Sequence, residues 1–395
     1  MILIIEVAFS QKIIISKSTQ EKSFKINQPI YLAQENTNIS YIESSDGQFV
    51  PIPKGYTASK LEGETSVKDG FVIYEGNIDW NNNENLLNDP NTKEKQVLQL
   101  QANYNQYVWV PVTEEELNTI YGIDSNGKLW GKLYSYNTSG RSPKDWSEKN
   151  GKMQAQTGTN YFEPGLGYGI NTDVVSEMQL GLKLDKNREQ LDKELMQDYY
   201  ETIKSIKKYK GFYIGRYETG IQENQAVVKR MNENLSNRDW AEMYQKTRKM
   251  KGEKDYIITS MIWSSLWDYT IEWFVQTGSK NYNTIANSTS WGNYRYSGFS
   301  YYIDTQANTA SKKTGKSNAK IIPSGASDYT KVNNIYDMAG NVDEFTLGCY
   351  GNYFSFRGGY YDSSSNDETS CGYRGYRDMI KGMPRIGSRS MLLLK

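Results

Sequence analysis

The sequence predicts an α+β fold with few helices, many short strands and long polar loops. Helical spacing of apolar residues is strongest at about 188–209, whereas short β-type runs such as 107–112 recur along the chain. Strand-like and helix-like segments do not alternate regularly, and no repeat of fixed period is visible. With 395 residues the chain can form a large core. We therefore predict one domain over residues 46–395, after an irregular segment at 1–45.

The N-terminal segment is apolar in places but does not resemble a membrane span. Apolar residues at 1–5 and 13–15 are interrupted by Glu6, Gln11 and Lys12, so no run approaches the roughly 20 apolar residues that cross a bilayer. A basic region followed by a clean apolar stretch is also missing. Two interpretations stay open: a short strand or helix, or the remnant of an export or anchor helix.

The first clear β-type signals lie between residues 71 and 112. Residues 71–74 predict a short strand, and the Asn/Asp/Gln-rich residues 77–103 predict a loop. Residues 107–112 predict the first strong strand, with Pro111 marking an edge or a strand end. Residues 121–165 contain frequent Gly, Asn and Ser, which predicts a long loop over the surface.

The clearest helix is predicted at about 188–209. Its apolar stripe consists of Leu191, Leu195, Tyr199, Ile203 and Ile206. Gly211 is expected to end the helix in a left-handed conformation. Residues 212–218 then predict a strand.

Two further helices are expected in the second half of the chain. One begins near Ser236, with Asp239 three residues later as in a capping box. The other covers 260–274, and residues 278–330 are loop-like in composition. Tryptophan side chains in these helices are expected in the core; they are Trp240, Trp263 and Trp267.

The composition excludes several function classes. The 46 basic and 46 acidic residues give a formal net charge of zero, so nothing steers the protein towards nucleic acid or anionic lipid. Histidine is absent, which excludes Ser-His-Asp and Cys-His catalysis and any histidine-ligated metal. Tyrosine dominates the aromatic residues, with 32 Tyr against 11 Phe, and Tyr-rich, polar segments are typical of binding loops.

The C-terminal part carries the most specific motifs. Residues 334–346 read Asn-Ile-Tyr-Asp-Met-Ala-Gly-Asn-Val-Asp-Glu-Phe-Thr, followed by Arg-Gly-Gly at 357–359 and Gly-Ser-Arg at 387–389. This order resembles the formylglycine-generating-enzyme/sulfatase-modifying-factor family, and segments 212–218 and 261–267 also fit its order. The resemblance implies a C-type-lectin-like fold. The glycines are expected to permit close backbone approach, and the arginines to pair with internal carboxylates.

The chain departs from that family at the positions that carry its chemistry. Where the enzymes have their copper-binding cysteines, this chain has Ser363 and Glu368. Cys349 and Cys371 remain, and they could either pair or stay as thiols. The related sulfoxide synthases use a histidine-ligated iron, for which the ligands are missing here. We therefore expect no catalytic residues and no catalytic cofactor.

A second branch of the same fold fits better. The chain resembles the C-type-lectin-like variable proteins of diversity-generating retroelements from gut Firmicutes and their phages, which carry a hypervariable C-terminal patch, expected here at about 357–395. The resemblance rests on 210–220, 107–112 and the Tyr/Ser/Asn/Asp-rich residues 360–386. It implies a non-catalytic protein, outside the cell, on its surface or on a phage particle, that binds a protein or glycan on another surface.

The candidate ligand-binding residues are Tyr360, Tyr361, Asp362, Ser363, Asn366, Asp367, Tyr373, Arg374, Tyr376 and Arg377. They combine amphipathic rings with adaptable hydrogen-bonding groups, which suits a binding surface. The same composition also fits an ordinary polar loop with half-buried tyrosines. Arg374 in addition fits a buried arginine tied to a carboxylate or carbonyl.

A calcium site is the candidate metal site. Asp337, Gly340, Val342 and Glu344 offer two carboxylates and two carbonyls, and oxygen-only ligands favour Ca²⁺; the family resemblance implies a site at these positions. The alternative is a Gly-Asn turn whose carboxylates cap backbone amides.

Two other functions stay open. One is a copper-dependent oxidase of the formylglycine-generating type with displaced cysteines, which predicts Cu(I) binding that is lost in Cys371→Ser. The other is a structural surface or pilus-associated protein, which predicts self-association that requires residues 1–20.

Overall fold

The computed structural model describes residues 3–7, 11–15, 37–80, 89–123, 127–137, 140–143, 161–162, 177–234, 236–350, 353–365, 368–378 and 381–395. The chain divides into two compact units, residues 1–37 and 38–395. In the first unit, β1 (Leu3–Val7) and β2 (Gln11–Ile15) form an antiparallel hairpin. The predicted irregular segment therefore contains regular structure, and β3 (Ile39–Glu43) also begins before residue 46.

The second unit combines few helices with many short strands, which confirms the α+β class. Its further strands are β4 (Phe49–Pro53), β5 (Tyr56–Ala58), β6 (Val72–Glu75), β7 (Gln106–Pro111), β8 (Tyr121–Ile123), β9 (Leu129–Gly131), β10 (Tyr134–Asn137), β11 (Gly140–Pro143), β12 (Tyr161–Phe162), β13 (Gly211–Gly215), β14 (Gly220–Gln222), β15 (Gln225–Val227), β16 (Ile257–Met261), β17 (Phe299–Tyr302), β18 (Thr309–Lys312), β19 (Asp343–Tyr350), β20 (Tyr353–Arg357), β21 (Arg374–Asp378), β22 (Ile386–Ser388) and β23 (Ser390–Leu394). Its helices are α1 (Lys93–Asn103), α2 (Leu117–Ile120), α3 (Glu177–Leu184), α4 (Arg188–Tyr209), α5 (Trp240–Lys249), α6 (Ser264–Gln276) and α7 (Tyr282–Ala286).

A six-stranded sheet lies in the core. Its strand order is β16-β23-β13-β7-β6-β5, and all neighbours are antiparallel. All five residues of β13 and of β23 are buried, as expected for central strands covered on both faces. The C-terminal strand is thus inserted between β13 and β16, so the last residues of the chain help to hold the sheet together.

A second sheet positions the C-terminal motifs. Its order is β12-β19-β20-β21, and β22 pairs in parallel with β19. Glu344 lies opposite Arg357 in the β19–β20 pair, and Arg357 lies opposite Arg374 in the β20–β21 pair. The three motifs, distant in sequence, therefore meet in this sheet.

The predicted core tryptophans are buried, which confirms that expectation. The Trp240 ring stacks on Phe354, with ring centroids 3.7 Å apart, and its Nε1–H donates to the Thr346 carbonyl at 2.9 Å. Trp263 meets Tyr199 edge to face and donates to Thr202 Oγ1. The indole N–H groups of Trp240 and Trp263 thus both have an acceptor, as buried tryptophan requires.

Helix α4 agrees with the sequence prediction, but its C-terminus differs. Asn187 and Gln190 form a capping box at its start. At its end the left-handed residue is Lys210, with φ of 61°, and Gly211 is already the first residue of β13. Glycine is needed at 211 for packing, because a Cβ there would lie 2.3 Å from Cζ2 of Trp109.

The other two predicted helices begin later than expected. The side chain of Asp239, not Ser236, caps α5 by accepting from the Glu242 amide at 2.9 Å. Helix α6 begins at Ser264, because Ser260 pairs with Met391 in the central sheet. The pairing of Ser260 with the C-terminal strand β23 therefore sets where α6 begins.

Two predicted loops contain secondary structure. Helix α1 lies within 77–103; only Leu98 and Gln101 are buried in it, so its sequence has no apolar stripe to detect. The region 278–330 contains α7 and the hairpin of β17 and β18, and 121–165 contains short strands. In the described part of the chain, no helix combines the length and apolar character needed to cross a membrane.

Candidate functional site

The candidate site lies between β20 and β21, where the chain leaves and re-enters the second sheet. Gly358 and Gly359 both have positive φ, 89° and 73°. A Cβ at position 359 would lie 2.0 Å from the Glu368 carbonyl oxygen. Glycine therefore permits both the turn and the close approach of the returning loop.

Two arginines from the two ends of this loop contact one carboxylate. Arg357 and Arg374 both donate to Asp268 of α6, the second at 2.6 Å between Nη2 and Oδ2. All three side chains are almost completely buried. Burial and the neighbouring Arg374 lower the pKa of Arg357, whereas Asp268 raises it. The shared carboxylate fixes both ends of the loop to the helix.

A second buried ion pair lies beside this group. Arg389 donates from Nε and Nη2 to the two oxygens of Glu344, at 2.8 and 2.5 Å. It also donates to the Gly215 and Tyr336 carbonyls. Burial raises the pKa of Glu344, and the Arg389 guanidinium limits that rise. The expectation that Arg357 and Arg389 pair with internal carboxylates is confirmed. We call Asp268, Glu344, Arg357, Arg374 and Arg389 the buried frame.

Next to the buried frame lies a half-buried polar surface. Seven of the predicted ligand-binding residues are neither buried nor fully exposed. Leaving aside Arg374, whose side chain is buried, we call the other six the Tyr-rich face: Tyr360, Tyr361, Asp362, Tyr373, Tyr376 and Arg377. The rings of Tyr360 and Tyr361 meet edge to face at 5.6 Å. Asp362 accepts from Arg295 at 2.8 Å. These contacts hold Tyr360, Tyr361 and Asp362 in place, and all six residues are partly exposed, although the Tyr376 hydroxyl is buried.

Two other predicted ligand-binding residues, Ser363 and Arg374, have buried side chains. Arg374 is turned inward by its contact with Asp268, which leaves its side chain 2% exposed. Ser363 is buried, and its Oγ accepts from the Tyr360 amide at 3.2 Å. Both residues support the loop and are not available to a ligand. Asn366 and Asp367 lie outside the described residues.

The predicted calcium ligands have other partners. Asp337 accepts from Thr330 Oγ1 at 2.6 Å and from the Gly325 amide at 2.7 Å, and Glu344 is paired with Arg389. The Gly340 amide donates to the Gly358 carbonyl, and the Val342 amide donates to the Glu218 carboxylate. An added cation beside Glu344 would meet the Arg389 guanidinium, so this arrangement does not fit Ca²⁺.

The described residues also contain no cluster of three or more acidic or cysteine side chains that could hold a metal. Calcium binding stays a prediction from the sequence.

The sequence analysis did not include Asp343 among the site residues. It is fully buried, and neither carboxylate oxygen has a hydrogen-bond partner in the described part of the chain. Arg385 Nε lies 4.0 Å away, and the same guanidinium covers the Tyr360 ring at 4.2 Å. Burial raises the pKa of Asp343 well above its ordinary value. A signal was present in the sequence, since Asp343 lies within the 334–346 motif and directly precedes Glu344.

The cysteines do not form a reactive pair. Cys349 and Cys371 are both buried, and no disulfide joins them. Burial raises the pKa of the Cys371 thiol far above its usual range. A neutral, buried thiol is a poor metal ligand and nucleophile, so no observation favours the copper oxidase.

Comparison with known proteins adds little to this geometry. No protein-family model matches the chain, and no curated protein matches it. A solved structure titled "Crystal Structure of CarF" aligns at 14% identity over 47% of this chain and 87% of its own, with a TM-score of 0.32. A likeness this weak carries no argument about fold or function.

Proposed function

We propose that the protein is a non-catalytic binding protein that displays the Tyr-rich face on a C-type-lectin-like domain, as the variable proteins of diversity-generating retroelements do. The observation that carries this proposal is the pairing of half-exposed tyrosines with a fully buried ionic base. Arg357 and Arg374 anchor the two ends of the displayed loop to one carboxylate. A binding surface gains affinity when its support is rigid before the ligand arrives.

The chemistry of the face suits a protein or glycan ligand on another surface. Tyrosine offers a large amphipathic area at low entropic cost, while Asp362 and Arg377 supply polar contacts. Arg377 already donates to the Met383 sulfur at 2.7 and 2.9 Å, a weak acceptor that a ligand oxygen could replace. The zero net charge gives no support to a nucleic-acid ligand. On this proposal the protein acts outside the cell, on its surface or on a phage particle.

The proposal is tested by screening the full chain on printed arrays of bacterial and host glycans and of secreted proteins. A triple variant, Tyr361→Ser/Tyr373→Ser/Tyr376→Ser, should lose at least about tenfold in affinity for every specific hit. The matched control replaces half-buried or exposed tyrosines elsewhere, Tyr256→Ser and Tyr200→Ser, and should bind normally. Hits that the triple variant retains at full affinity would contradict the proposed surface.

The retroelement origin has its own test in the DNA. A near-copy of the 3′ end of the gene that differs only at adenines, next to a reverse-transcriptase gene, is the expected arrangement. Sequencing of the locus decides this point independently of binding, and a locus without such a copy leaves a lectin-like binding protein that is not diversified by this route.

A further inference from the structure

A polar pocket of about 550 Å³ lies away from the Tyr-rich face. Its walls come from the segment before β6, from α1, and from the segment just before β19. None of the residues of the Tyr-rich face lines it. The volume is within the range of sites for small molecules, roughly 300–1,000 Å³.

The floor of the pocket is a buried charged network. Arg216 pairs with Glu64 at 2.7 Å and donates to Gln106 at 3.0 Å. Arg230 donates to Gln101 and to Asp328, at 2.7 and 2.9 Å. Such a network fixes the direction of its side chains without adding much stability, because desolvation offsets the attraction between buried charges. A rigid polar floor of this kind is suited to hold a ligand.

One hydrogen-bond donor in this floor has no acceptor among the described residues. Arg216 is 1% exposed, yet its Nε–H has no acceptor among the described residues. A buried donor without a partner destabilises the folded protein, because it has lost its hydrogen bond to water. An oxygen from a ligand or a water molecule in the pocket would remove that destabilisation.

One cation that lines the pocket, Lys280, has no carboxylate partner among the described residues. Lys280 lines the pocket, and its ammonium lies 4.7 Å from the centre of the Trp291 ring. No described carboxylate forms an ion pair with it, whereas Lys331 and Arg230 are both paired with Asp328. Burial lowers the pKa of Lys280. A bound anion would compensate this partly desolvated charge.

We propose that this pocket binds a small polar carboxylate, such as a uronic acid or an amino acid, attracted chiefly by Arg216 and Lys280. The polar lining excludes a mainly apolar ligand, because polar wall groups would lose their water without new partners. A ligand carboxylate would accept from the Arg216 Nε–H and pair with the Lys280 ammonium, while Arg216 stays paired with Glu64 through Nη2. The pocket thus provides a second, small-molecule site that is independent of the Tyr-rich face.

Isothermal titration of the full chain tests this proposal. The probes are D-glucuronate and L-glutamate, each compared with its neutral counterpart, D-glucose or L-glutamine, at constant ionic strength. At least one carboxylate should bind saturably, and its neutral counterpart should bind at least about tenfold more weakly. Preference between the two carboxylates distinguishes a sugar acid from an amino acid.

Two variants locate the site. Lys280→Met keeps the length of the side chain and should weaken carboxylate binding about tenfold, whereas Lys249→Met, an exposed lysine outside the pocket, should not change it. The Tyr-rich-face variant should also bind the carboxylate normally, so failure of one proposal leaves the other standing. Absence of heat with both carboxylates, equal binding of charged and neutral probes, or full affinity in Lys280→Met would overturn the proposal.

Discussion

The buried frame and the Tyr-rich face lie side by side and use similar residue types for opposite purposes. In the frame, Arg357 and Arg389 are completely buried and paired with carboxylates. In the face, Arg377 is half-buried and donates to the Met383 sulfur. Burial, not residue type, therefore decides whether an arginine holds the fold together or is available for recognition.

The difference predicts how substitutions in and around the loop between β20 and β21 should act. The ends of the loop are fixed by the frame, and between them half-exposed residues such as Tyr361 alternate with buried ones such as Cys371. Substitutions in the frame should therefore destabilise the protein, whereas those in the face should leave it folded. The predictions below test this contrast, from the largest expected change in stability to the smallest.

Arg389→Met should give the largest effect. It leaves Glu344 as an uncompensated buried carboxylate, which costs about 3–5 kcal/mol in the free energy of unfolding. Urea denaturation measures the change. Arg238→Met is the control, because this arginine is exposed and lies 3.8 Å from Glu242; it should change the stability by less than about 1 kcal/mol. Equal effects of the two substitutions would contradict the role of the frame.

Gly359→Ala tests the junction between frame and face. Gly278 has a similar φ, 77° against 73°, but a Cβ there would meet nothing within 4 Å. Gly278→Ala should cost about 1 kcal/mol through backbone strain alone. Gly359→Ala should cost at least about 2 kcal/mol, because the added methyl also collides with the Glu368 carbonyl. Denaturation curves of the two variants that coincide would show that the close approach is unimportant.

Asp328 is an intermediate case, since it is partly exposed but paired with the buried Arg230. Burial raises its pKa, but Arg230 and Lys331 outweigh this and lower it from 3.8 to about 2. Because the folded pKa is below the unfolded one, the stabilisation is present above about pH 4 and is lost as the pH falls towards 2. The stability difference between the native chain and Asp328→Asn should shrink over this window in denaturant titrations. A difference that is constant with pH would refute the ion pair's contribution.

Tyr361→Ser should give the smallest effect on stability. The side chain is half exposed, so its loss should change the free energy of unfolding by less than about 1 kcal/mol. Tyr217→Ser is the matched control, because that ring is fully buried and packs on Tyr336 at 5.1 Å; it should cost about 3–5 kcal/mol. Thermal or urea denaturation compares them. A large loss of stability in Tyr361→Ser would place this residue in the frame.

The sequence predicted the elements that depend on local patterns. Helix α4 has a continuous apolar stripe and begins and ends where the pattern does. The buried tryptophans and the α+β class followed from composition and spacing in the same way. Helix α1 was missed because it buries Leu98 and Gln101 and shows no stripe, and α6 was started too early because β16 takes up Ser260.

By itself, the sequence determined that this protein has no histidine chemistry, a zero net charge and a Tyr-rich stretch between two Arg/Gly motifs. Only the tertiary structure decided which of those polar residues face solvent. Arg374 and Ser363 belong to the same stretch as Tyr361, yet they are turned inward, because Asp268 and the Tyr360 amide lie beneath them. Long-range contacts of this kind depend on how distant segments meet, and no local pattern of residues encodes them.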